Sequence, residues 1–98
     1  MAREKLAEET VHEALAALDG WSMSREGTAI ARTLSFRNFS EAFGFMTQVA
    51  LAAERLDHHP DWSNVYKTVT IELTTHDAGG LTELDFRLAR RIDMIAAK

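Results

Sequence analysis

Apolar residues recur along this chain with two different periods, and the switches between them mark out its elements. From Arg3 to Leu18, Leu6, Val11, Ala14, Leu15 and Leu18 fall at helical spacing, with Glu4, Glu8 and Glu9 outside the stripe. Those acidic residues sit in the first turns, where the positive end of the helix dipole favours them, and Asp19-Gly20 ends the segment. The period then drops to two. Trp21–Ser24 reads as a short strand, with Trp21 in the core, and Arg25-Glu26-Gly27 as a turn. Thr28–Arg37 reads as a longer strand in which Ile30, Leu34 and Phe36 share one face. Arg32 interrupts that face, which fits either a sheet edge or a reach across a subunit contact.

A second helical stretch begins at Asn38 or Ser40 and runs to about Asp57; Asn38 with Glu41 three residues on resembles a capping box. Phe39, Phe43, Met46, Ala50 and Ala53 form its stripe, read as core or subunit interface. Phe45, Val49 and Leu56 widen it beyond what one sheet face covers. Pro60 disfavours helical backbone at His59, so the helix ends before the paired histidines. Two more strands follow, Trp62–Tyr66 and Thr68–Thr74, with Lys67 at a bulge or turn between them. Val65, Val69, Ile71 and Leu73 take the odd, buried positions; Tyr66, Thr68, Thr70, Glu72 and Thr74 alternate with them. After a loop over Thr75–Leu81 containing Gly79-Gly80, Thr82 and Asp85 read as a capping-box start to a third helix. Leu84, Leu88, Ile92 and Ile95 make its stripe, and Glu83 with Arg87 makes an exposed pair worth roughly 0.2–0.5 kcal/mol. The order helix-strand-strand-helix-strand-strand-helix predicts an α+β fold: an antiparallel four-stranded sheet with three helices packed on one face.

At 98 residues the chain is expected to form one domain, 1–98, whose limited core makes self-association a further source of stability. Its 46% hydrophobic and 27% charged residues are ordinary for a globular protein. A net charge of -4 gives no electrostatic drive toward nucleic acid, and Arg87, Arg90 and Arg91 read as the solvated face of the last helix. No apolar run approaches the ~18 residues of a membrane span, and no apolar leader core follows Met1 to Lys5. Without cysteine there are no disulfides and no thiolate metal sites. A cytoplasmic protein away from membranes is the expectation.

The chemistry concentrates between residues 54 and 85, which hold His58, His59 and His76, three of the four histidines, beside the only proline. Histidine both gives and takes protons near neutral pH. Glu54 and His58 are four apart and would share a helix face, letting the carboxylate fix an imidazole tautomer. Pro60 forces His59 extended, so the two adjacent rings diverge. His76 continues the polar face of its strand, and Asp85 is placed to orient His76 or to accept a hydrogen bond from a substrate. His12, outside the cluster, reads as a surface residue. Three histidines with acidic neighbours can bind zinc. The chain lacks His-Glu-x-x-His, however, and adjacent histidines in extended backbone point apart, so no metal is expected.

Glu54, His58-His59-Pro60, Tyr66, His76 and Asp85 resemble, in register, the signature of the pterin-4a-carbinolamine dehydratases. Asp57, Asp61-Trp62-Ser63-Asn64-Val65 and Thr74-Thr75 extend the likeness, and residues from Phe39 to Ala97 look family-like. The resemblance implies dehydration of 4a-hydroxytetrahydropterin to quinonoid dihydropterin, in support of tetrahydrobiopterin recycling, with no cofactor. It implies acid and base roles for His58 and His76, leaving open which acts on oxygen, and a pterin-holding role for His59. Glu54, Asp57 and Asp85 would support them, and Trp62 or Tyr66 would wall the pocket. It further implies a homodimer or homotetramer, formed by joining sheets and packing the second helix. The competing expectation is a non-catalytic binding or assembly module, since animal members serve as dimerisation cofactors of a homeodomain transcription factor.

Overall fold

Two antiparallel hairpins make the sheet, and the computed structural model, which describes residues 2–97, shows how they join. Met1 and Lys98, the ends of the expected domain, lie outside the described residues. The elements are α1 (Glu8–Ala16), β1 (Ser22–Ser24), β2 (Ala29–Ser35), α2 (Phe39–Leu56), β3 (Asp61–Val65), β4 (Thr68–Leu73) and α3 (Glu83–Ala96). Short 3-10 turns span Arg25–Gly27 and His76–Ala78. The strands lie side by side as β1-β2-β4-β3, every neighbouring pair antiparallel.

Strand alternation sorts the two faces. The register sets Ile30 against Leu73, Arg32 against Ile71, Leu34 against Val69, and Trp62 against Ile71. These side chains form the face that packs with Phe45, Val49, Ala53, Leu88, Ala89 and Ile92 from α2 and α3. Thr33, Thr70, Glu72, Asp61 and Ser63 occupy the opposite, polar face. All three helices thus lie on one side, as an α+β reading requires. No described helix is long and apolar enough to cross a membrane.

Four local expectations change. The first helix starts at Glu8 rather than Arg3, because Ala7 is extended and the Leu6 N–H donates to Leu81 O at 2.8 Å. Leu6 therefore packs on the core from outside the helix. On α2 the buried residues are Ala42, Phe45, Val49, Ala52 and Ala53, whereas Phe39 and Phe43 are 49% and 56% exposed. The helix is apolar on more than one side, and packing rather than periodicity chose the buried one. Val65 leaves the buried set at 76% exposure, because Tyr66-Lys67 is a two-residue turn that places Val65 opposite Thr68, on the polar face. Tyr66 takes a positive φ of 53° there, and Asn64 Nδ2 braces the turn by donating to Tyr66 O and Thr68 O, each at 3.0 Å.

Fourth, Arg32 lies on an inner strand rather than at a sheet edge, and its guanidinium pairs within the chain. Its Nη1 donates to Asp93 Oδ1 of α3 at 2.5 Å, and Trp21 Nε1 donates to the same oxygen at 2.9 Å. One half-buried carboxylate thereby ties α3 to β2 and to the residue preceding β1. Asp93→Ala, which strands both donors, should cost roughly 1–3 kcal/mol of stability in urea denaturation. Asp93→Asn keeps an acceptor and should lose less.

At the start of α2, Asn38 Oδ1 accepts from Glu41 N at 2.8 Å, half of the expected capping box. The other half is displaced by one residue: Glu41 Oε1 accepts from Arg37 N at 2.8 Å. That backbone hydrogen bond, aided by the Arg37 guanidinium, holds the Glu41 carboxyl below its ordinary value. The bond's contribution to stability is therefore complete above the unfolded-state carboxylate pKa and is lost as pH falls through the lowered folded value. Glu41→Gln should shallow the acid limb of a stability-against-pH curve measured by chemical denaturation.

Candidate active site

The end of α2 decides where the two adjacent histidines go. Asp57 sits in the left-handed region at φ 52°, ψ 44°. Its N–H donates to Glu54 O and that of His58 donates to Ala53 O, each at 3.1 Å. This is a Schellman stop, with Asp where glycine is usual. The reversal carries His58 off the helical path, so the expected Glu54–His58 pair does not form. Glu54 Oε1 instead meets His59 Nε2 at 2.6 Å, on the exposed surface. His58 turns inward and is 7% exposed. The rings diverge, as the Pro60 constraint implies.

His58 Nε2 lies 2.5 Å from Oδ1 of Asp85, a fully buried carboxylate in the first turn of α3. The other oxygen, Oδ2, accepts from Thr75 Oγ1 at 2.8 Å and from Thr82 N at 2.9 Å. Thr75 Oγ1 and Thr82 Oγ1 are themselves 2.8 Å apart. Asp85 therefore orients His58, not His76. Among the described residues Ser24 Oγ is the one buried side-chain polar atom without a partner. Nε2 is the ring nitrogen of His58 that this network takes up; Nδ1 makes no hydrogen bond to another described residue.

His76 follows Thr75 directly and opens an exposed turn of its own. The loop closes through Thr75 N to Gly80 O at 3.0 Å, and Gly79 N donates to His76 O at 3.0 Å. Gly79 takes φ 74°, a conformation that suits glycine and lets the turn stop after three residues. Asp61 at the head of β3 pairs with Glu72 near the end of β4, so His58-His59-Pro60 and His76 belong to one end of the sheet.

Arg25, which sequence reasoning left in a turn, also belongs there. Its guanidinium bonds Asp61 and Glu72, the latter at 2.7 Å, and these bonds, that to Asp61 foremost, hold it above its ordinary pKa. Trp62 lies on the helix-covered face and packs against the core. Tyr66 sits at the far end of β3, five residues from Asp61 and roughly 16 Å away at ordinary strand rise, so it does not join the histidines within one chain. Asp57 acts locally as the helix stop, with Arg3 Nη2 donating to its O at 3.0 Å and its Oδ2 at 3.3 Å. No group of three or more His, Cys, Asp or Glu among the described residues is arranged to hold a metal ion. A groove of about 660 Å³ between α2 and α3, lined by Leu51, Leu56, Met94, Arg55, Arg87 and Arg91 among others, includes none of the histidines.

The sequence profile described as Pterin 4 alpha carbinolamine dehydratase matches residues 4–95. The chain belongs to that family. A Chelativorans protein provisionally named pterin-4-alpha-carbinolamine dehydratase is 58% identical over the whole of both chains. A Mesorhizobium japonicum protein with the same provisional name is 60% identical over 95% of each. A crystal structure of a transcriptional coactivator/pterin dehydratase from Brucella melitensis superposes with a TM-score of 0.91 at 50% identity, covering 95% of this chain and 99% of that one. A pterin dehydratase-like protein described as a RuBisCO assembly factor of the α-carboxysome aligns at 0.70 and 20% identity, over 81% of this chain and 92% of that one, and shares the fold alone.

For a dehydratase-family chain whose α2 ends on a non-glycine left-handed residue, the stop should be sensitive to side-chain branching. Asp57→Val should destabilise by about 1–2 kcal/mol, while Asp57→Gly should be neutral or stabilising. Thermal and urea melts of the two variants check this.

Proposed function

We propose that this chain dehydrates 4a-hydroxytetrahydropterin, releasing hydroxide from carbon 4a and a proton from nitrogen 5 to give quinonoid dihydropterin and water. The carrying observation is the buried Asp85–His58 pair, which engages Nε2 and not Nδ1, at the sheet end that also holds His59 and His76. An elimination of this kind needs an acid at the departing oxygen and a base at the nitrogen. Positioned histidines supply both near neutral pH, each such contribution being worth roughly 100- to 10,000-fold. In this reading His58 and His76 exchange the protons. His59, held by Glu54, contacts the pterin, and Asp85 orients His58. The product is an oxidised pterin ready for reduction, which gives the enzyme a place in tetrahydrobiopterin recycling.

A second reading rests on a different observation. Phe39, Phe43 and Leu51 stand exposed on α2, with the Phe39 and Phe43 rings 5.8 Å apart. An apolar helix face of that kind suits self-association into a dimer or tetramer, and would equally suit a binding or assembly module. The Brucella relative is described as both a transcriptional coactivator and a pterin dehydratase. The intact histidine set favours the enzyme, because a scaffold has no use for it.

Mixing the protein with the carbinolamine and following its loss by absorbance separates the two readings. Turnover above the uncatalysed rate is expected, and His76→Ala should reduce it roughly 100- to 10,000-fold with an unchanged circular dichroism spectrum. Near-normal turnover by that variant would remove His76 from the chemistry, and a folded but inactive wild type would leave the module.

A further inference from the structure

We propose that Thr75 and Thr82 are positioning residues of this site: acting through Asp85, they hold His58 in its Nε2–H tautomer and leave Nδ1 as the nitrogen that exchanges a proton with the substrate. The proposal rests on the dehydratase reading and names how one of its histidines is set.

Counting donors gives the direction of every bond. A threonine hydroxyl has one hydrogen to give. That of Thr75 goes to Asp85 Oδ2 at 2.8 Å, so the 2.8 Å contact between the two hydroxyls must run from Thr82 to the Thr75 oxygen. Thr82 contributes twice, since its backbone N–H also reaches Oδ2, at 2.9 Å. Oδ2 is thus occupied by two donors, and the acceptor capacity left to Asp85 is on Oδ1. A carboxylate has no hydrogen to offer, so the hydrogen in the 2.5 Å contact between Oδ1 and His58 belongs to Nε2.

Burial makes the arrangement firm. Asp85 and Thr82 are 0% exposed, Thr75 6% and His58 7%. Hydrogen bonds in such surroundings are stronger, and an unmade one costs more, than in water. The carboxylate therefore has little freedom to rotate and offer its other oxygen. The ring is held on the Asp85 side through Nε2, and among the described residues no group hydrogen-bonds Nδ1.

The same hydroxyl bears on a second imidazole. Thr75 immediately precedes His76, and its carbonyl accepts from Ala78 N at 3.0 Å, opening the turn that carries His76. Fixing the Thr75 side chain to Asp85 fixes the point from which that turn departs. One threonine thereby couples the settings of both histidines assigned to proton transfer.

The test combines steady-state dehydration with long-range proton–nitrogen NMR of the imidazoles at alkaline pH. Wild type should show His58 protonated at Nε2. Thr75→Val, close in shape but without the hydroxyl, should show a mixture of tautomers and lose roughly 10- to 100-fold in kcat, with KM within about twofold. Thr75→Ser should recover most of that loss, which a purely steric role would not produce. Thr82→Val removes a hydroxyl while keeping the backbone donor, and should give a smaller shift in the same direction; it carries the test if Thr75→Val does not fold. Wild-type kcat in a folded Thr82→Val or Thr75→Val, or Nδ1 protonation of His58 in the wild type, would overturn the proposal. Absence of turnover in a wild type that shows the Nε2–H tautomer would instead overturn the dehydratase reading and with it the catalytic role, leaving the tautomer assignment standing.

Discussion

The buried carboxylate of Asp85 is the point on which the rest of this structure turns. A charge fully removed from water is tolerated only when its oxygens are occupied by donors. Here the donors come from three segments: His58 after α2, Thr75 after β4, and the Thr82 backbone at the start of α3. The helix dipole adds a favourable field, because Asp85 lies in the first turn of α3. Satisfying one anion thus forces the end of one helix, the end of one strand and the beginning of another helix to meet. Cap and candidate site are the same set of atoms.

That coincidence explains what could be read in advance. The sheet and helices were legible because their periodicities are clean: Val69, Ile71 and Leu73 alternate, and Leu84, Leu88 and Ile92 recur at helical spacing. The phase of α2 was not, because Phe39 and Phe43 are as apolar as Phe45 and Val49, and only the sheet and α3 choose between them. Val65 was misplaced for a related reason. A two-residue turn inverts the parity of everything before it, and Tyr66-Lys67 lacks the Asn-Gly or Asp-Gly that advertises such a turn. At the site, residue types were legible and pairings were not. Helical spacing matched Glu54 to His58, yet the left-handed Asp57 handed that carboxylate to His59. A loop able to fold back over the strand end left Asp85 either to orient His76 or to meet a substrate, but the buried cap directs it to His58. Thr75 stood out only as part of the family-like run before His76, with nothing to show that its hydroxyl meets Asp85.

The Brucella protein at 50% identity and the assembly factor at 20% share the same scaffold to different degrees. Folds persist through large changes in sequence, while chemistry resides in a few side chains placed on them. In this chain the candidate residues His58, His59, His76 and Asp85 lie at one sheet end, where β3 begins and β4 finishes. The exposed apolar face of α2 is a separate surface. The exposed residues Phe39, Phe43 and Leu51 are none of the candidate site residues, so either surface can change in sequence without the other.

α3 shows how a site with two exposed histidines and one buried one keeps its geometry. It carries two inward acids, Asp85 near its start and Asp93 near its end, eight residues apart. The first collects His58, Thr75 and Thr82; the second collects Arg32 and Trp21. Between them Leu88, Ala89 and Ile92 are fully buried against the sheet and α2. A helix held at both ends by polar bonds and along its middle by close packing has little freedom to slide or roll. A shift along the axis would break both sets of hydrogen bonds, and a roll would pull the apolar stripe from the core. Asp85 is therefore placed by the whole helix, and the fold supplies the precision that His58, standing just beyond the end of α2, could not hold alone.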